Sequence, residues 1–331
     1  MSKFIIRRLL LGIGIVFFGC LITYAVIRCL PTSYVEGIAR QRAAAASAGI
    51  GKSYKEWLAE LNQLYGMNDS IITGYLKWLW NALQFNFGDS WQYTVKVVDK
   101  FNDVVWYSVA INIFTFVFEM VASIPLGILA ARKQYSKTDY AVTVFALLGI
   151  SLPSFFFGTC LQYIFSIKLG WFDLFGIVGR MHEQLTPWGK FWDIAYHLVL
   201  PVLTLMILSV GGLMRLTRTN MLEVLNSDYI RTARAKGLPE NKVINKHAFR
   251  NTLIPLVSYM SYLIPNMFGG SMITETVFQI PGIGYISYQA MIGGDIPFTM
   301  FYIFFLEILT QISLIVADIM YAVVDPRVRA N

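Results

Sequence analysis

Six apolar stretches set what this chain is able to fold into. Leu9 to Ile27, Val104 to Ala131, Tyr140 to Ile167, Ile194 to Met214, Leu253 to Thr274 and Pro297 to Val324 each approach or exceed the ~20 residues a helix needs to cross a bilayer. Inside the hydrocarbon every backbone N–H and C=O must find its partner within the segment, so such stretches fold as helices. Of 331 residues, 56% are hydrophobic and 14% charged, with mean hydropathy +0.54, too apolar for a soluble domain of this size. The expected fold is an all-α integral membrane protein with six transmembrane helices.

The charges between the spans set its orientation. One side carries Lys3, Arg7 and Arg8, then Arg132, Lys133 and Lys137, then a dense group from Arg215 to Arg250, and finally Arg327 and Arg329. The opposite loop from Glu275 to Ile296 has neither Lys nor Arg. Basic residues collect on the cytoplasmic side, so both termini are expected inside. The formal net charge of +7 therefore reports topology, whereas nucleic-acid binding needs a basic face on a soluble module. The first apolar run is too long for the core of a secretory signal, so it reads as an uncleaved membrane helix despite an Ala46-Ser47-Ala48 sequence far downstream.

Three parts follow: residues 1–30 as an N-terminal transmembrane helix, 31–103 as an extracellular loop region, and 104–331 as a five-helix core with an inner loop at 215–252. In the outer loop, Trp57, Leu58, Leu61 and Leu64 mark one helix from Ser53, and Tyr75 to Leu83 marks a second. Its aromatic residues suit interfacial anchoring or partner docking. Ala43 to Ala48 reads as part of this loop. Gly49-Ile50-Gly51-Lys52-Ser53 resembles a phosphate-binding loop, but Ala46 stands where the first Gly belongs and no strand precedes it. No other stretch supplies such a loop, so ATP-driven work requires a separate subunit.

Cys20, Cys29 and Cys160 form no CxxC pair and read as small hydrophobes, and His182, His197 and His247 are scattered without an HExxH pattern. Prolines at 125, 153, 201, 255 and 265 bend helices that move, and equally ordinary membrane helices. Gly211-Gly212 and Gly269-Gly270 permit close helix contact.

The most informative stretch lies between the fourth and fifth spans, from Ser227 to Pro239. Ser227 suits a helix cap, Asp228 the first turn, and Arg234 and Lys236 the last, before Gly237 and Pro239 stop it. A helix this short is unstable alone and must be held by neighbours. Tyr229, Ala233 and Lys236 fall on one face at helical spacing, with Arg231 and Ala235 elsewhere. Small residues between basic ones make a slim surface able to enter a cleft on another protein. An ordinary basic inner loop is the plainer alternative.

Ser227 to Pro239, continuing through His247-Ala248-Phe249-Arg250-Asn251-Thr252-Leu253-Ile254-Pro255, resembles the cytoplasmic loop of permease subunits from bacterial peptide ABC importers. Only Ala233 and Gly237 fit the general Glu-Ala-Ala-x-x-x-Gly form of importers; the wording Tyr229 to Leu238 is similar to the peptide and nickel branch. Further similarity runs through Arg7-Arg8-Leu9-Leu10, Leu64-Tyr65-Gly66-Met67, Tyr75 to Trp78, Phe87-Gly88-Asp89-Ser90, Ile124 to Ala131, Ser151 to Phe155, Glu275 to Gly284 and Asp325-Pro326-Arg327. Two outer positions depart from the family: Pro31-Thr32-Ser33-Tyr34 replaces a Pro-Gly-Asp-Pro exit, and Asp103-Val104-Val105-Trp106 replaces a Leu-Pro-x-Thr start.

The resemblance implies a type I ABC importer permease fold with a long extracellular loop after the first helix. It implies that Asp228, Tyr229, Arg231, Thr232, Ala233, Arg234, Ala235, Lys236 and Gly237 form a coupling helix docking on an ATPase. It also implies a second homologous permease, two ATP-binding subunits that hold ATP and magnesium, an extracellular substrate-binding protein and a peptide substrate. No cofactor is expected in this chain. Nickel is the alternative cargo.

Within or beside the spans stand Glu119, Asn266, Glu275 and Glu307, with Asp318 near the end. A charge at the bilayer centre costs roughly 3 kcal/mol, so each faces protein or water. The first four are candidates for a translocation path favouring a peptide's positive end; interhelical hydrogen bonding is the alternative. Glu119 and Glu307 also raise a different class, a proton-coupled secondary transporter, although no inverted repeat is apparent. An intramembrane enzyme lacks a nucleophile and base pair.

Overall fold

The computed structural model describes residues 2–29, 34–45, 52–64 and 67–324. Pro31 to Ser33, Ala46 to Gly51, Tyr65-Gly66 and Asp325-Pro326-Arg327, all used above, lie outside the described residues.

In chain order the helices are α1 (Ser2–Cys29), α2 (Tyr34–Ala45), α3 (Tyr54–Leu64), α4 (Ile71–Leu83), α5 (Val97–Arg132), α6 (Lys137–Ser151) and α7 (Ser154–Leu161). They continue with α8 (Pro187–Leu225), α9 (Asp228–Ala235), α10 (Glu240–Lys242), α11 (Phe249–Gly269), α12 (Met272–Val277), α13 (Ile283–Ile292) and α14 (Ile296–Val324). π-helical turns extend α7 over Gln162–Lys168 and join α10 to α11 over Val243–Ala248.

Among the described residues, four helices are long and apolar enough to cross a membrane alone: α1, α5, α8 and α14. The expected third span is instead a pair, α6 and the extended α7, bent by 102°. Leu152 is extended because Pro153 disfavours helix in the residue before it, and Pro153 then sits at the N-cap of α7. Pro125, Pro201, Pro255 and Pro265 lie inside helices that continue past them. The fifth expected span also breaks, at Gly270, whose φ of +71° is left-handed.

The helices belong to two compact units, residues 1–105 with 286–311, and residues 106–285 with 312–331. In the first, Cys20 and Tyr24 of α1 pack with Tyr75 of α4 and with Ile296 and Met300 of α14. The Tyr75 hydroxyl donates to the Phe17 carbonyl at 2.7 Å, and Arg28 donates to the Met67 and Asp69 carbonyls at 2.8 and 3.0 Å. Val35 and Ala39 of α2 bury against Leu61 of α3, so part of the expected loop is a helical pair. Ser53 and Glu56 form a capping box at the start of α3, and Lys52 pairs with Glu60. The two described residues of the phosphate-loop look-alike are thus a helix start.

In the second unit, Ile111, Leu161, Ile177, Leu198, Leu200, Phe278 and Ile280 form one core. A separate apolar cluster beneath α9 contains Ala131, Met221, Ile230, Ala233, Val243, Ile244 and Ala248.

Candidate functional site

The stretch after α8 is built largely as its local chemistry demands. Ser227 is extended at φ −75° and ψ 153°, and its carbonyl accepts from the amides of Ile230 and Arg231. Its hydroxyl donates backward to the Val224 carbonyl at 2.6 Å and makes no side-chain cap. At the other end Gly237 has φ +73°, its amide reaches the Arg234 carbonyl at 2.9 Å, and the Leu238 amide reaches that of Ala233 at 3.4 Å. These paired bonds are a Schellman stop, and Leu238 follows them onto the cluster beneath.

The face turned inward differs from the expected one. Ile230 and Ala233, three residues apart, are the buried side chains of α9. Tyr229 is 48% exposed, and Asp228, Arg231, Thr232, Arg234, Ala235, Lys236 and Gly237 are exposed too. Ile230 is the one large aliphatic residue of the helix, and burying it rotates Ala233 inward at i+3. Ala233 therefore packs within the chain, and Ala235 is the small residue left on the surface.

The charges are also partly committed. Arg234 grips Glu240 with Nη2 2.8 Å from Oε1 and Nε 3.2 Å from Oε2, and this hydrogen-bonded guanidinium holds the Glu240 carboxyl below the usual range. Arg231 stands 3.7 Å from Asp228. Behind the helix, Arg132 donates to the Asn241 side chain at 3.4 Å.

The path candidates occupy distinct settings. Glu119 is buried and accepts from the Tyr259 hydroxyl at 2.9 Å. Glu275 is fully buried and accepts from the Ser108 hydroxyl at 2.6 Å and from the Ser271 and Tyr285 amides, both at 2.8 Å. The Asn266 side chain is exposed, while its carbonyl accepts from Asn112 at 3.3 Å. Asn112 also meets the Ser271 hydroxyl at 3.0 Å, which brings Asn266 and Glu275 into one polar network. Glu307, in the first unit, accepts from the Cys20 thiol at 3.2 Å.

Three features escaped the sequence reading. Ile230 holds α9 down, and its signal was its isolation in a basic helix. Asp139 and Arg218 form a bidentate ion pair with both contacts at 2.7 Å, and residues 79 apart carry no local sign of it. Two of the scattered histidines meet at Asp193: His182 Nδ1 lies 2.6 Å from its carboxylate and His197 Nδ1 2.7 Å from its carbonyl.

A family described as the binding-protein-dependent transport system inner membrane component matches residues 123–330. The oligopeptide transport system permease protein AppB of Bacillus subtilis (strain 168) is 34% identical over 332 residues, 99% of each chain. The chain belongs to this family of inner-membrane transport components. The oligopeptide transport system permease protein OppB of Haemophilus influenzae is 32% identical across 99% of this chain and 100% of its own. A dipeptide transport system permease protein, DppB of Alkalihalophilus pseudofirmus, is 29% identical with the same coverage.

A solved inward-facing conformation of the MetNI methionine ABC transporter aligns with a TM-score of 0.51 at 17% identity, covering 67% of this chain and 95% of that chain. That likeness concerns the fold, which is the ABC importer permease fold. As a binding-protein-dependent transport component, the chain is a multi-pass protein of the cytoplasmic membrane, a transport subunit rather than an enzyme. The family match covers α9, both sides of the Pro153 bend, Asn266 and Glu275, whereas Ser108 and Asn112, which complete the Glu275 network, precede it.

Proposed function

We propose that this chain is the permease subunit of an ATP-driven peptide importer, coupled to a separate ATPase through the exposed side of α9. The observation that carries the coupling is the split character of that helix. Ile230 and Ala233 fasten it to its own chain, while Tyr229, Arg231, Ala235 and Lys236 remain on the surface. A surface loop without a docking role needs no such fastening, because a solvated basic segment loses nothing by staying unstructured. The peptide cargo is supported by full-length similarity to oligopeptide and dipeptide permeases.

In this reading a second homologous permease completes the path, an extracellular binding protein delivers the peptide, and two ATP-binding subunits hold ATP and magnesium. This chain binds neither. Glu119, Asn266, Glu275 and Glu307 are the path candidates. Of these, Glu275 has its carboxylate occupied by protein donors, so Glu119 and Glu307 are the ones to test first.

The test is affinity purification in detergent with mass spectrometry, comparing wild type with Ala235→Glu. ATPases and a second permease are expected with wild type, and the ATPases should be lost from the variant. A wild-type chain that purified alone and transported alone would end this reading in favour of a proton-coupled carrier. Uptake assays with peptide and with nickel decide the cargo. Glu119→Gln and Glu307→Gln variants with unchanged uptake of differently charged peptides would remove the path assignment.

A further inference from the structure

We propose that Asp139 and Arg218 are a positioning pair for energy coupling: they lock α6 and α8 into one lever that carries movement of α9 into the membrane. The proposal rests on the coupling reading of α9. Arg218 lies near the end of α8, seven residues before Leu225, ~10 Å along the axis from where the chain turns into α9. Its guanidinium places Nε on Asp139 Oδ1 and Nη2 on Oδ2, both at 2.7 Å. Asp139 is 3% exposed, and its Oδ2 also accepts from the Tyr135 amide at 3.0 Å.

Two closer contacts continue the seam. A Cβ on Gly211 would strike the Ala146 carbonyl, and one on Gly149 would lie 2.5 Å from the Ile207 carbonyl. The contacts run antiparallel: seven residues from Asp139 to Ala146 match seven from Arg218 to Gly211, and the three from Ala146 to Gly149 answer the four from Gly211 to Ile207. Backbone touching glycine holds two helices close but resists sliding weakly. A bidentate ion pair has one geometry and fixes the axial position.

Stability alone is a poor reason for the pair, because well-packed apolar residues often replace a buried ion pair without loss. α5 joins the same block. The Ser123 hydroxyl donates to the Val210 carbonyl at 3.1 Å, and a Cβ on Gly127 would lie 2.6 Å from that of Thr217. The block ends at Leu152-Pro153, where the helix turns by 102° and the backbone ladder is interrupted. Motion delivered at α9 thus reaches that bend undivided.

The experiment uses the complete transporter in liposomes with its binding protein, measuring uptake of a labelled oligopeptide per ATP hydrolysed. Asp139→Asn should lower that ratio about fivefold or more while stimulated ATP hydrolysis continues; Arg218→Lys, which keeps charge but loses the fork, should fall between. A merely structural pair would lower both activities together, and an unchanged ratio would overturn the proposal. Independently of any variant's folding, spin labels at exposed Tyr140 and Thr219 in otherwise intact transporter should report one distance with and without ATP. A nucleotide-dependent distance would also overturn it. If the wild-type complex contains no ATPase, the coupling reading fails instead, which its own composition reveals.

Discussion

Arg234 and Glu240 face each other across the Gly237 turn in a two-point ion pair, closing the end of α9 onto the start of α10. The carboxyl is held below the ordinary value of 4.5 by the guanidinium. A depressed folded value means the stabilisation is present above the unfolded value and lost as pH falls through the folded one. Both side chains are more than 40% exposed, so screening limits the pair to about 0.5 kcal/mol. The difference in melting temperature between wild type and Glu240→Gln should be small at pH 7 and vanish as the buffer is taken below pH 4.5 toward more acidic values. A difference that grew with acidity would contradict this sign.

Ala233→Glu and Ala235→Glu should separate folding from docking. The first forces a carboxylate into the Ile230 cluster and is expected to cost about 3 kcal/mol or more. The second places the same charge on the surface and should leave thermal stability within about 0.5 kcal/mol. Thermal unfolding of the purified chain in detergent distinguishes them; equal destabilisation would mean that α9 is oriented differently.

Adjacent glycines should respond in opposite ways. Gly211→Ala must push Ala146 and Ile150 away and is expected to cost about 1–3 kcal/mol. Gly212→Ala meets nothing within 4 Å and should be neutral, or stabilising by up to about 1 kcal/mol through helix propensity. Detergent melting curves of the two single variants test this.

Glu275→Gln should destabilise despite its similar shape. The carboxylate receives one hydroxyl and two amide donors, and an amide NH2 cannot accept from them. Leaving buried donors unmet costs about 1–3 kcal/mol. Ser108→Ala should destabilise as well, because its hydroxyl also accepts from the buried Ile283 amide at 2.8 Å and that donor is left unmet. Melting temperatures unchanged from wild type in either variant would show that the network does not hold this turn.

The local signals were read with success where one segment's own chemistry decides. Apolar length, which gives four single spanning helices among the described residues, and the Gly237 stop are each settled by the bilayer or by the backbone of a few residues. The same reasoning failed at Ser227, whose hydroxyl found the Val224 carbonyl behind it, and it did not tell which of the five prolines in the spans stands at a helix break, which is Pro153. A proline inside a helix is tolerated where neighbouring helices satisfy the freed groups, and that depends on contacts made elsewhere.

By itself the sequence determined that this is a helical membrane protein with a short basic helix after its fourth apolar stretch, and its wording carried the family resemblance. Those features follow from forces acting along one segment: solvation by the bilayer, capping and turn geometry. Tertiary structure alone decided that Ile230 and Ala233 face inward, that Gly211 rather than Gly212 touches a neighbour, and that Asp139 meets Arg218. Each depends on which distant surface arrives at a given face, and packing between segments far apart in the chain leaves no mark on the local pattern of either one.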